Sequence, residues 1–507
     1  MTVRGHQGIT LDKFNGLWSR GNPDTVPIDH FSDCNNVDYI GDSSFLTRPG
    51  ISISQTVLVP LSNVKRIYNY PTQTANTLIV LTYDKLSGNG NIYHVVNTST
   101  VYGPVLTVNG MTDFAFVPYA GRAYISPFSD YVNGDLTFQK GLQNQNLYVY
   151  AGDGTQARLA AGAGMTGTMT IANGASGYTD PGFHVFGFVS QTISGYNAPP
   201  TILTSFTTSS ANSVSFGNIP TSGNPNVVKR LLVATKVIPT FDGNLSGYQF
   251  FFVPNAVIND NSSTFLNNIS FYDASLLSDA SALLQNYTSL PAGAVLTLYH
   301  NRLCLAASYN DISLIYVSQP GQPEAFNQLT GLIVVPLDGN PITNAQEMRD
   351  VFYVFKRART VSYADNGSDP STWALIVVDN ALGTSPHGIA TVLDSGSSSV
   401  DYLLVSTYRG ISQFNGRYPP AEQDLTWKID NYWNGLDHNS FGKIQIVNSP
   451  LLRKIYMILP TRTMLLGDYA NGMNAKSMRW APWSFQMGVN SVAIQDISNV
   501  IIGADLL

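Results

Sequence analysis

Cysteine is almost absent from this chain, which contains two among 507 residues, Cys34 and Cys304. Small secreted domains that depend on disulfides contain many more cysteines, usually at close spacing. We therefore expect two reduced, buried thiols, with a single bridge between these distant positions as the alternative. The low count excludes a disulfide-rich scaffold.

Long apolar runs are missing as well. No stretch of about 18 consecutive apolar residues occurs, which is the minimum for a membrane-spanning helix. The first residues, MTVRGHQGITLDKF, lack the apolar centre of a signal peptide. The sequence therefore predicts no stable membrane insertion and synthesis in a cytoplasm.

Charge is scarce. Only 12% of the residues are charged, which is about half the usual share. The polar surface must come from Ser, Thr, Asn, Gln and Gly, as in large β-rich assemblies whose surfaces are mostly covered by neighbours. The net charge is −6, so no overall positive field attracts nucleic acid.

Motifs of the common catalytic chemistries are missing too. There is no GxSxG elbow, Walker loop or HExxH pattern. Carboxylates for glycoside cleavage could come from Glu422 and Asp424, or from Asp394 and Asp401, but nothing in the sequence brings either pair together. The histidines lack the spacing that places two metal ligands on one face: His6, His30, His94, His184, His300, His387 and His438. We predict no enzyme activity, no metal site among these histidines and no cofactor.

The chain does contain a recurring hairpin pattern. At 351–355 an apolar, partly aromatic run precedes a basic turn at 356–359 and a returning strand at 360–363. Similar units return roughly every 40 to 60 residues, which indicates radial repetition of small antiparallel sheets. The sequence thus predicts an all-β fold, a β-propeller of about six blades. A terminal strand pair, 491–496 and 499–502, either belongs to one of these blades or forms a seventh, and should mate with 51–61.

The amino-acid composition changes near residue 151. The Gly- and Ala-rich stretch 151–177 predicts a flexible linker or irregular loop. Short strands at regular spacing follow it, as in a β-sandwich. We interpret 155–290 as an immunoglobulin- or fibronectin-like sandwich inserted into the propeller, whose parts are 51–154 and 291–507. Residues 1–50 predict an extended arm that lies across the domain or reaches a neighbouring subunit.

Aromatic residues supply the candidate binding site. Interface anchors are expected at Phe14, Leu17, Trp18, Trp427 and Trp433. Packing between blades and carbohydrate binding remain alternatives for the later tryptophans, which include Trp480 and Trp483. The acidic loop Asp365–Asp369 offers oxygen ligands for calcium, although the same residue types form turns without any ion.

Four segments carry a family resemblance. GLWSRGNPDTVPIDHFSDCNNVDYIGDSSFLTRPGI resembles the start of tail nozzle proteins (tail tubular protein B-like) of short-tailed bacteriophages. VVKRLLVATK and STFLNNISFYDASLL resemble the fibronectin-like insertion of such virion proteins, and PAGAVLTLYHNRLCLAAS resembles the return to the propeller. The resemblance implies a homohexameric ring at the distal end of the tail, which contacts a tail adaptor protein and tail fibres or spikes.

The resulting hypothesis is a structural virion protein, made in the host cytoplasm and located in the tail. It would form the nozzle through which DNA leaves during genome ejection, with DNA only transiently in the lumen. A wall with few Lys and Arg residues would let DNA slide. The rival hypotheses are a receptor-binding or polysaccharide-degrading tail spike, and a cellular propeller enzyme or lectin.

Overall fold

A computed structural model describes most of the chain. The described residues are 14–20, 25–27, 29–40, 44–50, 63–72, 75–96, 100–129, 139–160, 165–192, 195–224, 226–239, 248–276, 287–288, 290–327, 329–336, 338–393, 400–495 and 499–504. They form many small antiparallel sheets, and only one short α-helix, α1 (Asp430–Asn434), occurs among them. The prediction of an all-β chain is confirmed. No helix in the described ranges is long and apolar enough to cross a bilayer.

The strands begin in the N-terminal arm with the hairpin β1 (Val37–Ile40) and β2 (Ser44–Thr47). Seven further sheets, lettered A to G in chain order, line a central cavity. Sheet A contains β3 (Val64–Pro71), β4 (Asn76–Asp84), β5 (Asn89–Val95) and β6 (Val101–Asn109). Sheet B contains β7 (Asp113–Tyr119), β8 (Arg122–Ser129), β9 (Lys140–Gly141), β10 (Tyr148–Tyr150) and β11 (Arg158–Leu159).

Two sheets outside the cavity wall follow. One contains β12 (Thr170–Ser176), β15 (Asn212–Gly217) and β18 (Leu266–Ile269). The other has the order β14 (Thr201–Thr208), β13 (Gly182–Thr192), β16 (Val227–Ala234) and β17 (Phe251–Ile258). Both contribute to one apolar core, in which the rings of Phe186 and Phe216 lie 5.2 Å apart. The two sheets therefore pack face to face.

The remaining sheets complete the cavity wall. Sheet C contains β19 (Tyr287–Thr288), β20 (Gly293–Tyr299), β21 (Arg302–Ser308), β22 (Leu314–Gln319), β23 (Gln322–Asn327) and β24 (Leu332–Val334). Sheet D contains β25 (Ile342–Met348), β26 (Val351–Lys356), β27 (Arg359–Tyr363) and β28 (Leu375–Asp379), and sheet E contains β29 (Ile389–Leu393), β30 (Val400–Ser406) and β31 (Ile411–Phe414). Sheet F contains β32 (Gln445–Ser449), β33 (Lys454–Ile458), β34 (Met464–Asp468) and β35 (Arg479–Trp483), and sheet G contains β36 (Val489–Ile494) and β37 (Val500–Ala504).

The seven sheets form a closed circle. Each packs on the next one in chain order, and β36 of sheet G packs on β3 of sheet A. The cavity between them measures about 360 Å³, and all seven sheets line it, for example through Asn69, Phe116, Leu296, Asn344, Ile389, Val447 and Ala493. The predicted terminal pair is confirmed as a sheet of its own. Its predicted partner segment, 51–61, lies outside the described residues.

The hairpin at 351–363 is also confirmed, with β26 paired to β27. The polar segment before it is itself a strand, β25, and it lines the cavity through Thr343 and Asn344. Because this inner strand presents Thr343 and Asn344 to the cavity, it shows no apolar alternation, and its sequence resembles a loop.

The stretch 151–177 is not a linker throughout. Its end forms β12, which pairs with β15, and Arg158–Leu159 form β11, which pairs with β10 in sheet B. Because β12 is an edge strand and largely exposed, backbone hydrogen bonds to β15 hold it without many apolar side chains. Its low hydrophobicity misled the sequence-based prediction.

Candidate functional site

The described part of the N-terminal arm lies on sheet F of its own chain. The backbone N–H of Leu17 donates to the carbonyl of Trp480 at 3.1 Å, and that of Asn36 donates to Pro482 at 2.8 Å. The Tyr39 hydroxyl also donates to the Trp480 carbonyl, at 3.0 Å. The arm thus uses β35 as a docking strand, which agrees with the alternative of an arm across its own domain.

A buried lysine, Lys428, contacts both the arm and the segment that leads into β35. Lys428 Nζ lies 3.4 Å from the carbonyl oxygen of Asn15 and 3.3 Å from that of Met478. Burial lowers the pKa of Lys428 to about 8, although Asp29 in the arm opposes this. The amine therefore joins the arm to sheet F through backbone carbonyls.

Two of the five predicted interface residues are core residues. Leu17 and Trp433 are buried, and the Trp433 indole N–H donates to the carbonyl of Tyr408 at 3.2 Å. A side chain that is fully enclosed by its own chain has no surface left for a partner. Trp480 is likewise buried, with its indole N–H 2.8 Å from the Leu425 carbonyl.

The other three predicted residues remain partly accessible. Trp18 packs edge-on against Trp427 at 5.8 Å, and the Arg20 guanidinium lies 4.1 Å above the Trp427 ring. Phe14 stacks on Phe31 at 5.4 Å. The Trp427 indole nitrogen is buried and has no hydrogen-bond acceptor among the described residues. Any contact by this cluster with another protein must therefore come from Phe14, Trp18 and Trp427.

Two strand edges expose apolar side chains. In β28, the outer strand of sheet D, Leu375, Ile376 and Val377 are 37%, 60% and 42% exposed. In β2, Phe45 and Leu46 are 39% and 58% exposed. Each strand pairs on one side only among the described strands. An uncharged apolar edge of this kind is a template for pairing with another chain.

A network of ionic and polar side chains lies beside the central cavity, and two of its members, His387 and Gln445, line the cavity. Arg66 of sheet A binds Asp113 of sheet B in a bidentate pair, with N–O distances of 3.0 and 2.6 Å. His387 Nε2 lies 2.8 Å from the same carboxylate, and Arg66 Nη1 donates to Gln445 Oε1 at 3.2 Å. Ser491 donates to Gln445 Oε1 at 3.0 Å. The network therefore joins sheets A, B, F and G with the segment that leads into sheet E.

Burial and neighbouring charges act on Asp113 in opposite directions. Burial alone would raise the pKa of Asp113, but the charges of Arg66 and His387 outweigh it and hold the pKa well below its usual range. Sequence reasoning missed these residues because they lie hundreds of positions apart. The only available signal was a charged residue at the start of an apolar strand, as in Asp113-Phe-Ala-Phe116.

Glu422 and Asp424, one of the carboxylate pairs that the sequence offered for glycoside cleavage, do not form a site. Asp424 is buried, and Arg409 Nε donates to its Oδ2 at 2.5 Å, while Ser412 donates to its Oδ1 at 2.6 Å. Burial raises the pKa of Asp424 despite these partners. Glu422 is exposed in a short 3₁₀ turn, Asp401 pairs with Arg349, and Asp394 lies outside the described residues.

The acidic loop at 365–369 shows turn chemistry. Asp365 Oδ1 accepts from the Gly367 N–H at 2.8 Å, and Asn366 Oδ1 accepts from the Ser368 N–H at 3.1 Å. The other Asp365 oxygen faces His300 at 3.6 Å and Arg302 at 3.7 Å. One oxygen of the Asp365 carboxylate is thus used by the loop backbone, and the other faces His300 and Arg302.

No protein-family model matches the chain, and no curated protein matches its sequence. Distant similarity to solved structures exists. Apo AztD from Citrobacter koseri has a TM-score of 0.33 and 10% identity, over 88% of this chain and 90% of that one. Hsv2 from Kluyveromyces lactis has a TM-score of 0.27 and 11% identity, over 83% of this chain and 97% of that one. Sqt1 from Saccharomyces cerevisiae has a TM-score of 0.23 and 12% identity, over 85% of this chain and 99% of that one. Scores this low support no conclusion about function, and the resemblance to tail nozzle proteins rests on the sequence motifs alone.

Proposed function

We propose that this chain is a seven-bladed β-propeller with an inserted β-sandwich. Three observations support this architecture. The seven sheets close a circle, all of them line one cavity, and the two additional sheets share a separate core. Those two sheets have three and four strands, and an immunoglobulin-like sandwich has a similar number, about seven.

We propose further that it is a structural subunit of a bacteriophage tail, the tail nozzle of a short-tailed phage. The pair of exposed apolar edges on β2 and β28 carries the assembly part of this proposal. Single exposed hydrophobic residues are ordinary, but an edge strand that exposes three in succession invites aggregation unless a partner covers it. An assembly that covers both edges removes this problem.

The two edges also suit a ring. Because β2 and β28 are different surfaces, contact between β2 of one copy and β28 of the next is heterologous. Heterologous contacts close into a ring when their rotation fits. The hexamer, the adaptor above it and the fibres or spikes beside it come from the family resemblance.

The centre of each subunit supports a structural role. A catalytic centre needs an accessible group with an unsatisfied or poised charge. At the centre of the circle of seven sheets within one chain, Asp113 is paired with both Arg66 and His387, and all three side chains are largely buried. Such an arrangement fixes sheets relative to one another.

The proposal extends to genome ejection. With 27 basic and 33 acidic residues, a ring of these subunits would offer DNA few cationic contacts, and such contacts supply most nonspecific affinity. DNA would therefore slide through the lumen.

Native mass spectrometry and electron microscopy of the purified protein, alone and with isolated tails, test this function. We expect a sixfold ring with an open axial channel, and no retention of duplex DNA at about 150 mM salt. A protein that stays monomeric in the virion, or a trimer that cleaves polysaccharide, would contradict the nozzle assignment.

One observation favours a receptor-binding protein as the second candidate. Tyr178 and Tyr272, on the inserted sheets' loops, are 53% and 51% exposed, with their rings 4.9 Å apart. Exposed aromatic faces are common at sites that bind sugars or proteins. Binding of the purified protein to host cells that is lost in Tyr178→Ser together with Tyr272→Ser would favour this candidate.

A further inference from the structure

We propose that His300, Glu347 and Asp350 form a binding site for a divalent transition-metal ion, of which Zn²⁺ is the probe. His300 Nε2 lies 3.9 Å from Glu347 Oε1 and 3.7 Å from Asp350 Oδ1. The three potential ligand atoms all lie within 4.8 Å of one another. The site joins two neighbouring sheets of the ring, C and D.

The two sheets bring these residues together through matching hairpin turns. His300 and Asn301 connect β20 to β21, and Arg349 and Asp350 connect β25 to β26. All four turn residues have positive φ, between 45° and 61°, as a two-residue type I′ turn requires. Because β20 packs beside β25, the turns lie next to each other at the same end of the two sheets.

The imidazole of His300 is held in one orientation. It stacks on Tyr299 at 4.2 Å with an angle of 19° between the rings. Its other nitrogen, Nδ1, lies 3.6 Å from Oδ2 of the largely buried Asp365. In protein metal sites the free nitrogen of a ligating histidine typically faces a carboxylate, which fixes the tautomer and the ring orientation. Asp365 belongs to the loop after β27 and is therefore independent of the two turns.

Glu347 is positioned as well. Its Oε2 accepts a hydrogen bond from the backbone N–H of His300 at 3.2 Å, which leaves Oε1 towards the imidazole. Asp350 has a side chain that is 92% exposed and free to adjust. The arrangement thus combines two fixed donors with one mobile donor.

The donor set favours zinc-like ions over calcium. Zinc accepts imidazole nitrogen and carboxylate oxygen at about 2.0–2.2 Å in a tetrahedral arrangement, which separates neighbouring ligand atoms by about 3.4 Å. The separations of 3.7 and 3.9 Å from His300 exceed this value by a few tenths of an ångström, and the Glu347 and Asp350 oxygens lie within 4.8 Å of each other, a distance that the exposed Asp350 side chain can adjust. Calcium instead takes six to eight oxygen ligands, more than this cluster offers. A water molecule would complete the zinc coordination.

Metal at this position would fasten sheet C to sheet D. An ion that binds only the folded chain stabilises it by mass action. The test is isothermal titration of tag-free protein with Zn²⁺, together with the melting temperature with and without a chelator. We expect one site per chain and a melting temperature that rises with Zn²⁺. Substitution of Co²⁺ should give the visible absorption of a tetrahedral ion.

The variants assign the site. His300→Ala should abolish measurable binding, and Asp365→Asn should weaken it by about tenfold or more, because outer carboxylates contribute about that factor. The control is Glu422→Gln, at an exposed turn of another segment, which should leave binding unchanged. It makes the same chemical change as Glu347→Gln makes at the proposed site. If His300→Ala fails to fold, the double variant Glu347→Gln with Asp350→Asn tests the same ligands.

Three results would overturn the proposal. These are the absence of saturable Zn²⁺ binding, equal affinity in His300→Ala and the original chain, and binding of Ca²⁺ as tight as that of Zn²⁺. The first would leave His300 as an ion-pair partner of the surrounding carboxylates. The second would place the ion elsewhere, and the third would indicate a site made only of oxygen ligands.

Discussion

His387 Nε2 lies 2.8 Å from Asp113 Oδ2, although the two residues belong to opposite parts of the circle of seven sheets. Asp113 begins sheet B, and His387 precedes sheet E, which does not neighbour sheet B in the circle. The contact therefore crosses the centre. Together with Arg66 it fixes the distance between non-adjacent sheets, which hydrogen bonding within each sheet cannot do.

Replacement of Asp113 should destabilise the whole ring. Asp113→Asn keeps the size of the side chain but leaves the buried Arg66 without its counter-charge, which typically costs about 3–5 kcal/mol. Urea unfolding at a fixed protein concentration measures the loss. The control is Asp84→Asn at the exposed end of β4, which should cost much less, because its hydrogen-bond partners remain in contact with water. Equal effects of the two substitutions would contradict the role of the central network.

The stability difference between the original chain and Asp113→Asn should depend on pH. The pKa of Asp113 is depressed in the folded chain, so its contribution to stability is fully present above its unfolded pKa of about 3.9. That contribution is lost as the pH falls from about 4 towards the folded pKa. Since Asn does not titrate, the difference in unfolding free energy between the original chain and Asp113→Asn should be smaller at pH 3 than at pH 5. A difference that stays constant at pH 3 would indicate that Asp113 is not ionised in the folded chain.

The exposed edge of sheet D should control assembly. Ile376→Lys places a charge in the middle of β28, where it blocks strand pairing in the way that natural edge strands do. Because Ile376 is 60% exposed, the stability of the monomer should change by less than about 0.5 kcal/mol. Native mass spectrometry should show monomers where the original chain forms rings.

Two further variants make this experiment specific. Leu46→Lys on β2 should block assembly as well, because the proposed contact needs both edges. Leu86→Lys alters a leucine that is 100% exposed at the β4–β5 turn and should leave rings intact. Rings that persist in Ile376→Lys would exclude β28 as the contact, and rings lost in all three variants would indicate a general charge effect.

Much of the fold could be predicted because the middle strands of each sheet are apolar. The run Val351–Phe355 is buried on both sides, and such a run is visible in the sequence. The inner strand Ile342–Met348 was missed because it has polar residues at the cavity, and β12 was missed because an edge strand needs little apolar character. The local pattern of apolar residues reveals a strand only when that strand is buried against other parts of the protein.

The candidate site was harder to predict for a different reason. Sequence singled out Leu17 and Trp433 by residue type, but burial depends on which distant segment packs on them. Arg66, Asp113 and His387 meet only after the ring closes, and His300 meets Glu347 only because two sheets are neighbours. No spacing within the chain records such contacts.

The two cysteines should be unreactive in the folded protein. Both are buried and free of a disulfide, as the sequence predicted. Burial raises the pKa of Cys34 to about 11 and also raises that of Cys304, and only the thiolate attacks a disulfide reagent. A thiol assay at about pH 8 should detect neither residue before denaturation and both after it, without any reductant. Ser87→Cys at an exposed turn is the reactive control, and a count of zero after denaturation would show a bridge.

The inserted sandwich should be removable. The backbone N–H of Ala160 donates to the Leu147 carbonyl at 2.9 Å, and the Leu147 N–H donates to the Leu290 carbonyl at 3.0 Å. Both ends of the insertion are therefore tied to the same residue, so a short Gly/Ser linker can replace 161–286 and leave β11 and β19 in their sheets. We expect a soluble product with a β-type circular dichroism spectrum and cooperative melting. Deletion of 338–393, which removes sheet D and the first strand of sheet E, β29, from the circle, is the control and should prevent folding. An insoluble product of the first deletion would show that the ring depends on the sandwich.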